Sequence, residues 1–233
     1  MMSQSHPIEG FVSGLVKQFT AHPDSVSSEL ENLRSLRRQT LTLIYPVSEA
    51  QGAWVPRPGA WSVTQILDHV VLLEGMYRDA IKSLMDLAKQ GRQPEIHYSM
   101  DDIDVSVPVV PKAALSALEV PLDFANRFIP AVVRQTVIRF PVLSATSPTV
   151  ARPRADLTMA LMRDRLLESA IQNTDLLSGP FPGDPRKMTI SHPILGINNV
   201  LEIMGMMAAH EERHQDQIRA VLTDPRLPKS SLA

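Results

Sequence analysis

Apolar residues recur along this chain in stripes at helical spacing, and four stripes are long enough to build a core. From Ser25 to Tyr45 they fall at Leu30, Leu33, Leu36, Leu41 and Ile44, and Pro46 ends the pattern. A connector rich in proline and glycine follows, QGAWVPRPGA. Then WSVTQI marks a helix start. Ser62 suits the N-cap, Gln65 completes a capping box at N3, and Trp61 and Ile66 form a candidate hydrophobic staple. Its stripe runs through Ile66, Val70, Leu73, Tyr77, Ile81 and Leu84, and Gly91 is placed to stop it. A third long helix is predicted over 155–177, with Leu157, Leu161, Arg165, Ile171 and Leu176 near one side, ended by Ser178-Gly179-Pro180. The loop FPGDPRKMTISHPILG leads into the last helix, which begins at Asn198 or Asn199 and runs to Leu222.

The rest is less regular. Residues 1–23 read as a lead-in with one helix around Phe11 to Phe19. Segment 92–153 carries eight prolines, a density that argues against any long element, although short helices are predicted at 112–118 and 122–137. It reads as an irregular connection inside a single domain spanning 24–224, with 225–233 as a tail. There is little strand alternation and no internal repeat. The expected architecture is all-α: a four-helix bundle with one long, proline-rich crossover between its second and third long helices.

The candidate chemistry lies on the last helix, in HEERH, residues 210–214. At about 100° per residue, His210 and His214 lie about 40° apart, beside Ile203, Met207 and Val221. Both therefore fall in the apolar stripe that faces the core. Glu211 and Arg213 flank the stripe, Glu212 points to solvent, and Gln217 falls on the histidine side. Two histidines one turn apart in such a stripe need polar partners out of water. A shared metal ion supplies one to each; two separately satisfied core histidines are the alternative.

The same five letters match the H-E-x-x-H pattern of zinc proteases. That reading fails on its third ligand. No glutamate follows Glu212, and the extended histidine version would need glycine and histidine where the chain has Gln217 and Ala220. Among the other histidines, those at 6, 22, 97 and 192 lie in predicted loops or the lead-in. His69 sits in the core-facing stripe of the second long helix. Three neutral imidazoles from two helices make a catalytic type of metal set, with positions left for other ligands. Zinc, nickel, iron or copper would suit them.

Composition narrows the setting. The chain has 44% hydrophobic and 21% charged residues, ordinary for a globular protein. Basic and acidic residues number 23 and 25, so no global field favours nucleic acid or an anionic membrane. The short runs Arg37-Arg38 and Arg152 to Arg154 read as solvated helix faces or loop anchors. With no cysteine there is no disulfide, no thiolate ligand and no cysteine nucleophile. No apolar run reaches the ~18 residues of a membrane span, no secretory leader is visible, and a cytoplasmic location is expected.

Two stretches, AWVPRPGAWSVTQILDHV and HPILGINNVLEIMGMMAAHEERHQDQI, resemble the DinB/YfiT-like metalloenzyme superfamily, and the resemblance extends over about 28–222. It implies a four-helix bundle with a divalent metal, such as Zn, Ni or Fe, bound by His69, His210 and His214. Members with known activity include thiol-dependent transferases. The resemblance therefore implies a low-molecular-weight thiol cosubstrate, a small electrophilic substrate and a homodimer. Gln217 is placed either to orient a ligand imidazole or to cap a gap in the core. Glu211 is the candidate general base, as a hydrolase would require, with Glu74 second. His192, in an H-P-x-x-G stretch, is a turn residue or a further site residue. A non-enzymatic metal-binding stress protein is the third functional class.

Overall fold

The computed structural model describes residues 25–99, 152–192 and 196–229. The helices expected at 11–19, 112–118 and 122–137 lie outside those residues. Five α-helices are described: α1 (Val26–Ile44), α2 (Glu49–Ala53), α3 (Val63–Lys89), α4 (Met159–Leu177) and α5 (Val200–Leu222). The four long ones pack as a bundle, α1 against α4 and α5, and α3 against the same two.

Local signals set the helix ends. Ser25 caps α1 through the N–H of Ser28. Ser62 and Gln65 form the expected capping box on α3. At the far end of α3, Gly91 adopts φ 69°, while its N–H and that of Arg92 return to the carbonyls of Ala88 and Leu87. That is the Schellman closure for which glycine avoids a side-chain clash. Asn199 and Glu202 box the start of α5.

Three expectations need correction. The connector after Pro46 contains α2, whose Ser48–Gln51 capping box is visible in the sequence as S-x-x-Q. The third long helix starts at Met159, not near 155, because Thr158 caps it and Asp156 turns into positive φ at 59°. Its core face also differs. Met159, Met162, Leu166, Ser169, Asn173 and Leu177 are buried, while Leu161 and Ile171 are 39% and 55% exposed. A small sheet was not expected either. Strand β1 (Glu95–His97) pairs in parallel with β2 (Thr189–His192), which pairs antiparallel with β3 (Gly196–Asn199). The strands have only three or four residues and Ile190 is their one buried aliphatic side chain, so alternation is too short to read.

The apolar core has two parts. One gathers Leu30, Leu33, Leu84, Leu177, Met188, Ile190 and Leu201 at the sheet end of the bundle. The other gathers Ile44, Ile66, Leu67, Met162, Leu166 and Ile218 at the opposite end. Between them the middle turns of all four long helices bury polar side chains. Arg37, 3% exposed, donates from Nε to Glu211 at 2.9 Å and from Nη2 to Glu74 at 2.9 Å. Its Nη1 donates to the Leu166 carbonyl at 2.6 Å. Ser169 and Asn173 donate to Glu74, and Thr40 donates to Glu211 at 2.6 Å. Gln215 donates to Thr40 and to the Leu36 carbonyl, both at 3.0 Å. Arg37, read from sequence as part of a solvated basic run, is thus a core residue.

Desolvation alone would raise the carboxyl pKa of Glu74. The charge of Arg37 and the hydrogen bonds from Ser169, Arg37 and Asn173 outweigh it and hold the group below its ordinary range. Removing one member of such a buried set leaves charge out of water without compensation. Arg37→Met is therefore expected to lower unfolding free energy in urea by roughly 3–5 kcal/mol. Arg38→Ala, at a side chain 64% exposed, should change it by under about 0.5 kcal/mol. A loss below about 1 kcal/mol for Arg37→Met would contradict the buried pairing.

Candidate metal centre

His69 stands on the second turn of α3; His210 and His214 stand one turn apart on α5. The crossing of the two helices brings all three rings together, with 6%, 8% and 3% exposure. Nε2 of His210 lies 3.2 Å from Nε2 of His69 and 3.0 Å from Nε2 of His214. One potential ligand nitrogen from each ring falls within 4.8 Å of the others.

These separations suit one shared ion. Two nitrogens held ~2.05 Å from a tetrahedral metal lie ~3.3 Å apart, and at right angles ~2.9 Å apart. The hydrogen-bonding alternative is short of protons. Nδ1 of His214 lies 2.9 Å from Oε1 of Gln217. With that nitrogen protonated, the outward Nε2 of His214 carries a lone pair. A hydrogen on Nε2 of His210 can satisfy one neighbour, not both. Nor does a proton serve as the shared cation. Burial, then the other imidazoles and Arg213, push His210 well below the usual histidine range. Burial and the charge of His69 push His214 down to about 3, despite Gln217. Three buried imidazoles converging on one point, with His210 and His214 held neutral, fit a divalent metal.

The surroundings fix the rings. Trp61, the residue before the α3 N-cap, lies against His69 with ring centroids 4.9 Å apart. It shares an apolar cluster with Ile66, its expected staple partner. Asp68, fully buried beside His69, accepts from the backbone N–H of Arg154 at 2.9 Å, from that guanidinium, and from Arg165 at 3.1 Å. The residue before His69 is thereby tied to the chain entering α4 and to α4 itself. Arg154 is the loop anchor its basic run suggested.

The other site expectations separate. Gln217 stands at His214. Glu211 is 2% exposed and turned into the polar belt, where Arg37 and Thr40 occupy it. Glu74 is held in the same belt. His192 lies in β2 against Tyr98, and burial pushes it down to about 4. The sheet joins α5 at Asn199, and His210 lies about 15 Å along that helix from Val200. The structure does not bring His192 to the three imidazoles. Sequence reasoning missed Asp68, its pairing with Arg154 and Arg165, and the place of Trp61 against His69. The available signal was Asp68 itself, a carboxylate between Leu67 and His69 on a core-facing turn, which requires a cation.

The sequence model of the DinB superfamily matches residues 32–218, most of the chain and all three histidines. The chain belongs to the DinB superfamily. Neither a search of curated proteins nor one of solved structures finds a significant match. This DinB chain thus has its fold and its possible three-histidine metal site. Among the described residues no helix is long and apolar enough to cross a membrane.

Burial of His210 and His214 as neutral rings has a pH consequence in metal-stripped protein. Their folded pKa values are depressed, so the favourable contribution is complete above the unfolded value near 6.5. It is lost as pH falls towards about 3, because the unfolded chain takes up protons that the folded site refuses. Chelator-treated protein should lose melting temperature steadily from pH 7.5 to pH 5. The double variant His210→Gln, His214→Gln should show a shallower loss. Equal slopes in thermal scans would contradict neutral burial of these rings.

Proposed function

We propose that this protein binds one divalent ion through His69, His210 and His214 and uses it to transfer a low-molecular-weight thiol to a small electrophilic substrate. The observation behind this reading is the convergence of three ring nitrogens, 3.0 and 3.2 Å apart, in a buried pocket. An ion bound there would supply positive charge that favours the deprotonated form of a coordinating thiol.

The chain's own residues prepare the place. Burial keeps His210 and His214 neutral and ready to ligate. Gln217 accepts the Nδ1–H of His214 and so presents the Nε2 lone pair to the site. Trp61 covers one face of His69 and restricts its rotation. All three ligands are uncharged, so an anionic nucleophile meets no carboxylate among them. The chain contains no cysteine, so the thiol must arrive as a cosubstrate. A hydrolase would need a carboxylate base at the site. Glu211 and Glu74 are both engaged by Arg37, which favours the transferase reading.

Metal analysis of purified wild type should find about one divalent ion per chain, and His214→Ala should lose most of it. With metal present, small thiols should raise the melting temperature; without metal they should not. Equal metal content in wild type and His214→Ala would refute the site. Metal binding with no response to any thiol would favour the hydrolase or the non-enzymatic class.

A further inference from the structure

His214 has Gln217 on its second ring nitrogen, whereas Nδ1 of His210 has no hydrogen-bond partner among the described residues. His210 is 8% exposed as a residue, and its unpaired Nδ1 is open to water rather than sealed in the core. Its ring lines a narrow cleft between α3 and α5, together with Val70, Leu73, Glu74, Tyr77, Met207 and Glu211. The cleft admits a water-sized body and little more. Val70, Leu73 and Met207 are its apolar lining residues, and Glu74, Tyr77, His210 and Glu211 are the lining residues that carry polar groups.

Those carboxylates have room for another donor. Among the described residues Oε2 of Glu211 takes only Arg37, at 3.2 Å, and Oε1 of Glu74 takes only Asn173, at 2.8 Å. Burial pushes the Tyr77 hydroxyl up to about 12, so it stays protonated and able to donate. A buried water needs two to four polar partners, and the cleft offers four. Arg37, between Glu74 and Glu211, and Arg78, 3.8 Å from Glu74, balance the two carboxylates in charge.

We propose that this cleft holds a water that accepts the Nδ1–H of His210 and donates to Glu211 and Glu74, making the two carboxylates positioning residues for a metal-ligating imidazole. The proposal rests on the metal-binding reading above. It gives Glu211 a different task from that of a general base. The residue next to His210 orients that imidazole and raises its basicity through the water, without touching the reacting atoms. Arg37 holds both carboxylates in place for this purpose. Ligating histidines generally give their second N–H to such a partner, and loss of the partner costs about 10–100-fold in metal affinity.

The test uses full-length protein and cobalt(II) as a coloured divalent probe, titrated against a competing chelator. Glu211→Gln removes the charge, and Val70→Leu narrows the cleft without altering any residue of the belt. Each should weaken cobalt binding by about 10–100-fold and shift the visible cobalt bands. Metal-free Val70→Leu should keep wild-type helix content, which separates loss of the water from loss of fold. The proposal is overturned if wild type binds cobalt through the histidines but Val70→Leu keeps its affinity within twofold and its bands in place. Cobalt binding that is absent in wild type, or undiminished in His214→Ala, would instead overturn the metal reading and this proposal with it.

Discussion

Arg37, buried between Glu74 and Glu211, is the constraint around which the bundle is arranged. A guanidinium out of water is tolerated only with well-placed acceptors. Here they come from three other elements: Glu74 on α3, the Leu166 carbonyl on α4 and Glu211 on α5. Apolar contacts can slide past one another by a fraction of a turn at modest cost. A planar donor with three defined acceptors cannot. Arg37 therefore fixes the mutual height and rotation of the four long helices, while the two apolar clusters on either side supply most of the burial.

That registration is what brings the three histidines together. His210 immediately precedes Glu211, and His69 lies five residues before Glu74. A rotation of α5 that carried Glu211 away from Arg37 would carry His210 away from His69. Asp68 applies a second restraint on the α3 side through Arg154 and Arg165. Three nitrogens from two helices can meet within hydrogen-bond distances only if both backbones are held to fractions of an ångström. The polar belt next to the site provides that restraint, and it takes up the carboxylates that would otherwise compete for the ion.

Much of this was legible in the chain. Helical spacing placed the four long helices, and the capping residues at Ser62 and Gly91 were read correctly because caps are local chemistry. The core-facing histidines followed from the same geometry. The small sheet was not legible, because pairing between Glu95–His97 and Thr189–His192 depends on residues about ninety positions apart. The belt was missed for a different reason. Arg37, Glu74, Ser169 and Asn173 occupy stripe positions, but polar residues there were read past in favour of nearby leucines such as Leu36, Leu161 and Leu176. On α4 the true face follows Met159, Met162, Leu166, Ser169, Asn173 and Leu177, a regular three-and-four spacing that includes its polar members. Counting one buried cation on α1 against carboxylates on α3 and α5 would have suggested the match. H-E-x-x-H also drew attention to Glu211 as a base, when its side chain lies on the belt side of the helix.

The account stands on one ion shared by His69, His210 and His214. Crystals grown with zinc and measured on both sides of the zinc absorption edge would show where the ion sits. The account predicts an anomalous peak among the Nε2 atoms of those three residues, with zinc–nitrogen distances of about 2.0–2.1 Å. Fully occupied zinc elsewhere on the chain, with no peak among the three imidazoles, would contradict it.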